Sequence, residues 1–162
     1  MAVGFEELRV LKAAEAVADG IWRQVVRWEA FARDTVGKQM ARAGDSIGAN
    51  IAEAYGRFHY SEKLQFLYYA RGSLFETKYW LNRASQRELI PSGQVQDYAN
   101  QLTDLARQLN SFASDLKAQR QRGTPHPKLA REAGSEYEAN PLPLLFSDED
   151  LAWLATTTIS NT

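Results

Sequence analysis

From Val95 onward, apolar side chains recur in alternating steps of three and four residues: Val95, Tyr98, Leu102, Leu105, Leu109, Phe112 and Leu116. That spacing keeps them on one edge of an α-helix. Such an edge is stable only when it lies lengthwise against other helices at a small crossing angle. The pattern therefore predicts a helix over about 93–120, following Pro91 and capped by Ser92, and it requires partner helices elsewhere in the chain.

Three stretches supply them. Over about 5–28, starting near Phe5, the residues Leu8, Leu11, Ala14, Ala18, Ile21, Val25 and Trp28 form one helical stripe. The connection around Phe31 to Asp34 is short, so the next helix returns antiparallel. It is predicted over about 35–55, with Val36, Met40, Ala43, Ile47, Ile51 and Ala54 as its seam. A second stripe, Gln39, Arg42, Ser46, Asn50, Glu53 and Arg57, lies about a quarter turn away. Gly37, Gly44 and Gly48 weaken this helix by about 1 kcal/mol each relative to Ala. Small residues at helical positions mark close approach of a neighbour, and Gly56 suits the end of the helix.

The third stretch, over about 62–87 with Ser61 as its cap, fits no single stripe. Leu67, Ala70, Leu74, Thr77, Leu81 and Ala84 make one seam. Phe66, Tyr69, Ser73, Glu76 and Trp80 make the next, and Tyr68, Gly72, Phe75 and Tyr79 a third. A helix apolar on most sides must be covered on most sides. One small bundle does not cover it all, so Phe66, Tyr68, Tyr69, Phe75, Tyr79 and Trp80 are expected to form an interface between copies in a homo-oligomer.

The fold class predicted from these segments is all-α: an antiparallel up-down four-helix bundle over 1–120 with a C-terminal extension over 121–162. The extension holds four of the five prolines and carries a net charge of −3, against +2 for residues 1–120. Ser147-Asp148-Glu149-Asp150 reads as an N-cap with an acidic first turn, which predicts a short helix over about 148–156. The segment Pro141 to Phe146 is too apolar for a plain spacer, and Leu144, Leu145, Phe146, Leu151, Trp153 and Leu154 are the residues expected to dock.

The residues also exclude chemistry. The chain has no cysteine, so disulfides and thiolate metal sites are absent, and a reducing cytoplasm is the compartment that fits. No charged segment followed by an apolar run opens the chain, and no stretch of about 18 apolar residues occurs, so neither a signal peptide nor a membrane span is expected. Neither of the two histidines, His59 and His126, stands three residues after a glutamate, so the di-metal carboxylate pattern of helical bundles is missing. No nucleophile turn surrounds His59, and no glycine-rich loop with a lysine is present to cradle a phosphate. No catalytic residue, cofactor or metal ligand is assigned, and a non-enzymatic role is expected.

Gln39, then Arg42-Ala43, Ser46-Ile47 and Asn50-Ile51-Ala52-Glu53-Ala54-Tyr55-Gly56-Arg57 make one signature. Phe66-Leu67, Ala70-Arg71-Gly72-Ser73-Leu74 and Glu76 make a second. Together, and with Phe5, Leu8 and the Ile21-Trp22 pair, they resemble the bacterial four-helix-bundle proteins encoded within intervening sequences of 23S rRNA genes, over about residues 5–118. The resemblance implies an up-down bundle that commonly forms a ring-shaped homopentamer. Accessory proteins of diversity-generating retroelements share that architecture and bind a reverse transcriptase and RNA through a basic surface. Departures from the family pattern are Leu11 where Trp is frequent, Ala54 where Gly is usual, and Gly48 and Glu29 where Pro is common.

Two surfaces follow as candidates. The polar ridge, Gln39, Ser46, Asn50 and Glu53 with Ser73 and Glu76, is either a hydrogen-bond network that fixes helix register or a partner surface. Lys38, Arg42, Arg57, Arg71, Lys78, Arg83 and Arg87 are either a solvated face or, repeated around a ring, a contact surface for RNA or DNA. The functional expectation is a homo-oligomeric accessory protein that binds nucleic acid, alone or with a partner enzyme such as a reverse transcriptase. The alternative is a protein-binding scaffold that uses its tail to dock partners.

Overall fold

Val10, Leu11, Ala14, Val17, Ala18, Ile21 and Val25 are buried along one edge of the first helix, α1 (Arg9–Val25). In the computed structural model, which describes residues 4, 8–123 and 144–157, that edge faces the second helix and the fourth. The predicted start near Phe5 lies outside the described residues.

The second helix, α2, begins earlier than the seam alone suggests. A turn at Ala30–Ala32 leads through a π turn at Arg33–Gly37 into Lys38–Gly56, so the link from α1 is only residues 26–29. Phe31 to Asp34, expected as a loop, are helical. The π turn inserts one residue's worth of rotation, and Gly37 makes it fit. A Cβ at Gly37 would stand 2.6 Å from Val25 Cγ1. Further along, Gly44 and Gly48 lie against Ile21 and Ala14, which fixes α1 and α2 as antiparallel and puts the small residues at their contact.

The third helix, α3 (Tyr60–Gln86), buries Leu67, Ala70, Leu74, Leu81 and Ala84. The fourth, α4 (Ser92–Arg122), buries Val95, Leu102, Leu105 and Leu109. Their caps differ from those expected. His59 and Pro91, both in extended backbone, precede the first helical residues, and their carbonyls accept from Lys63 and Val95 N–H. Ser61 is therefore the second residue of α3 and Ser92 the first of α4, and neither side chain caps. Lys63 Nζ donates to the Tyr55 carbonyl at the end of α2, the Arg120 guanidinium lies over the Tyr60 ring, and Tyr98 donates to the Gly20 carbonyl at 2.9 Å. These contacts close an antiparallel ring in which each helix touches the next and α4 returns to α1. Among the described residues there is no strand.

The α3–α4 turn contains the one non-glycine residue with positive φ among those described, Glu88 at 59°. Leu89 N–H reaches back to the Ala84 carbonyl and Glu88 N–H to Ser85, a Schellman closure. A side chain in the left-handed region costs about 1–2 kcal/mol. Glu88→Gly is therefore expected to raise stability by about 1 kcal/mol in chemical denaturation, with no change in helix content.

The tail folds back. Ser147 Oγ accepts from Asp150 N–H at 3.1 Å while Asp150 accepts from Ser147 N–H at 2.9 Å, a capping box that opens the fifth helix, α5 (Asp148–Ala155). Residues 144–157 lie along α3 and α4 as a strap, and Leu145, Phe146 and Leu154 join the bundle's core. The apolar residues Pro141 to Pro143 lie outside the described residues.

Candidate interaction surface

The strap runs parallel to α3 and antiparallel to α4. Its Leu145 end lies beside Arg71 and Asn110, and its Thr156 end beside Lys78 and Gln96. At the first end, the Asn110 side-chain amide clamps Phe146 by both main-chain groups: Nδ2 donates to the carbonyl and Oδ1 accepts from the N–H, each at 2.9 Å. Arg71 Nε donates to the Leu145 carbonyl at 2.6 Å, and its guanidinium lies 4.7 Å over the Phe75 ring and 3.6 Å from Asp150. Phe75 stacks between Phe146 (5.8 Å) and Trp153 (5.4 Å).

At the far end, Lys78 is fully buried. Its Nζ donates to the carbonyls of Trp153 (3.1 Å) and Thr156 (2.6 Å) and lies 4.8 Å from the Trp153 ring centre. Those carbonyls belong to the C-terminus of α5, where a cation completes unpaired acceptors and meets the negative end of the helix dipole. Burial pushes the Lys78 ammonium below the usual lysine range. Gln96 completes this end, donating to the Ala155 carbonyl and accepting from the Thr157 hydroxyl.

Two expectations change here. Lys78, read as a nucleic-acid contact, is fully buried with its ammonium on strap carbonyls, and Arg71 is engaged by strap carbonyl and carboxylate. Phase by phase around α3, the cover for Phe75 comes from the same chain rather than from another copy. Lys38, Arg42 and Arg87 remain exposed, Arg83 is half-buried, and Arg57 is exposed but paired with Glu53 at 2.9 Å. The tail residues Leu145, Phe146 and Leu154 dock onto their own bundle, with Leu151 half-buried, Trp153 partly exposed and Leu144 in solvent.

A family model for the 23S rRNA-intervening sequence protein matches residues 6–111. The chain belongs to the 23S rRNA-intervening sequence protein family. It is also similar to a solved protein of unknown function from the S23 ribosomal protein family of Bacteroides thetaiotaomicron. The two share 28% identity with a TM-score of 0.58, over 64% of this chain and 97% of that one. No curated protein matches the chain. Both signatures of this family member fall on adjacent faces of α2 and α3, and the family match ends before the strap begins.

Along that α2–α3 face of the family member, the polar ridge is brought together only at its centre. Asn50 Nδ2 donates to the Ser46 carbonyl at 2.8 Å and reaches Ser73 Oγ at 3.5 Å. Ser46 Oγ bonds its own helix at Arg42, Glu53 pairs with Arg57, and Glu76 accepts from the Trp80 indole at 3.3 Å. Gln39 is half-buried near the start of α2 and the ridge does not run as a network. Tyr69, in the stripe of Ser73, is 50% exposed and Phe58, in the α2–α3 connection, 89%, while Tyr55 and Tyr68, about 40% exposed, lie on other faces of α2 and α3. Tyr79 is exposed, while Phe66 and Trp80 are half-buried, Phe66 beneath the Arg57 guanidinium.

An open groove between α1 and α2 has a floor of Ala14, Ala18, Gly48 and Ala52 and a rim of Glu15, Asp19 and Asp45. Burial, then the nearby Asp19 charge, raises the Asp45 carboxyl above its usual range. Among the described residues no three His, Asp or Glu side chains converge as a metal site, and no helix is long and apolar enough to cross a membrane. The sequence reading missed Gln96 and Asn110. A signal existed: Gln96, Thr103 and Asn110 recur every seven residues on α4, interleaved with Ala99 and Ala106, off the leucine seam. Thr103, Ala99 and Ala106 are buried, as the stripe beneath a covering segment must be.

Proposed function

We propose that the protein is a non-enzymatic, homo-oligomeric binding protein that assembles through the α2–α3 face. The observation that carries this reading is the half-exposed Tyr69 ring, which shares a stripe of α3 with Ser73, the residue that Asn50 of α2 reaches, together with the exposed Phe58 ring in the α2–α3 connection; both remain after the strap has covered Phe75. Exposed aromatic rings beside Arg and half-satisfied polar groups are the composition of interface cores. A ring of five copies is the form that the family resemblance suggests. Light scattering at micromolar concentration is expected to give a multiple of 18.3 kDa. Replacing Tyr69 by Glu is expected to lower that mass, because a carboxylate buried between copies is left unpaired. A wild-type mass of one chain rejects the reading.

Nucleic-acid binding is the second reading. It is supported by Lys38, Arg42, Arg83 and Arg87, which a closed assembly repeats around its axis into a stronger field than the net charge of −1 suggests. A salt titration with single-stranded RNA tests it: phosphate contacts make affinity fall steeply with salt, and no binding at low salt removes the idea in favour of a protein scaffold.

A further inference from the structure

The strap is gripped in a manner that does not depend on its being joined to this particular bundle. Arg71, Asn110, Lys78 and Gln96 all donate to strap main-chain carbonyls, those of Leu145, Phe146, Trp153 and Thr156, and Ala155. Such contacts recognise a backbone shape, a bent Leu-Phe step leading into a short capped helix. Leu145, Phe146 and Leu154 then supply the buried apolar surface. Charge is complementary as well. Arg71 and Lys78 line the groove, and Asp148, Glu149 and Asp150 open the strap helix, with Asp150 3.6 Å from Arg71. These are the elements by which a groove binds a helical peptide.

Chain length leaves the choice of groove open. From Asn110, which holds Phe146, α4 continues for about 20 Å to Gly123 at its helical rise. The residues 124–143 that separate Gly123 from the strap can span about 70 Å when extended. That excess of about 50 Å is enough to reach the groove of a neighbouring molecule.

We propose that the α3–α4 groove is a peptide-docking site whose ligand, residues 144–157, is exchanged between copies of the chain. The strap of one copy seats in the groove of another and links the two. Arg71, Phe75 and Lys78 line the groove and Tyr69 lies about a third of a turn from Phe75 around α3, so the exchange stands apart from the assembly proposed above. Within one chain the tether holds the strap at an effective concentration on the order of millimolar. Exchange therefore becomes visible when self-docking is disabled.

Two full-length variants make the test. In one, Phe146→Ala with Leu154→Ala disables the strap and leaves the groove whole. In the other, Asn110→Ala with Lys78→Met disables the groove and leaves the strap whole. Each carries a dye on a thiol introduced as Arg27→Cys, at an exposed position in a chain with no cysteine of its own. Far-ultraviolet circular dichroism verifies that both remain helical. Mixing the two is expected to give energy transfer at least tenfold stronger in apparent affinity than either variant paired with itself, and excess synthetic 144–157 peptide is expected to abolish it. Association through the α2–α3 face is common to all pairings and drops out of the comparison. No gain on mixing overturns the proposal, and so does a gain that the peptide does not displace.

Discussion

Phe146→Ala is expected to release the strap while the four-helix bundle stays folded. The ring is fully buried, stacks on Phe75, and has its main chain clamped by Asn110 on both sides. Truncating a buried Phe costs about 3–5 kcal/mol when the site cannot collapse around the gap. A short segment that must also order its backbone, at about 1–2 kcal/mol per residue, has little reserve against such a loss. The docked fraction should fall by about 100-fold or more. Hydrogen exchange reads this directly. The Asp150 and Phe146 amides, bonded to Ser147 and Asn110 in the docked strap, should lose protection. The amides of α3 around Leu74 and of α4 around Leu105 should keep theirs. Retained protection at Phe146 contradicts the expectation.

Lys78→Met is the second large effect, and its pH dependence separates it from a simple packing defect. Met fills most of the volume, but the Trp153 and Thr156 carbonyls lose their donor. Hydrogen bonds to a charged group contribute about 1.5–3 kcal/mol each, and part of that is offset because the ammonium no longer has to be desolvated. A net loss of about 1–3 kcal/mol in strap docking is expected, read by the same amide exchange. The sign of the pH effect follows from the lowered Lys78 affinity for protons in the docked state. Between the lowered value and the ordinary lysine value the released strap leaves more protons bound than the docked one. Docking therefore strengthens as pH rises through that window, and this gain is lost as pH falls below it. In Lys78→Met that dependence should vanish, whereas a variant that only leaves a void keeps it.

How much of this was legible in the sequence differs from element to element. The seam at Leu102, Leu105 and Leu109 specified α4 because periodicity is a local property, and the glycines of α2 announced their contact with α1 for the same reason. The Ser147 to Asp150 cap was legible too, since a capping box closes within four residues. The start of α2 was not. The π turn exists because Gly37 must pass Val25 and Trp28, and that constraint belongs to another helix. Glu88 in the left-handed region was equally hidden, because the Schellman closure and not the residue's preference dictates its φ.

The candidate site divides along the same line. Three apolar faces on α3 predicted that the helix needs more cover than three partner helices give, and Phe75 was among the residues named. What covers Phe75 was beyond the sequence, since it depends on contacts spanning more than 70 residues, from Arg71 to Leu145 and from Lys78 to Trp153. Lys78 shows the consequence most plainly. As a letter it is a surface cation, and as part of the fold it is a buried cap on a helix that lies 75 positions away.

The sequence by itself determined the four amphipathic helices, their antiparallel order and the family, because each rests on spacing within a helix or a short connection. Only the tertiary structure decided that the tail closes over α3 and α4, engages Arg71 and buries Lys78. The physical reason is that burial, and with it the meaning of a charge, is set by whatever else packs nearby, and a one-dimensional pattern carries no record of distance in space.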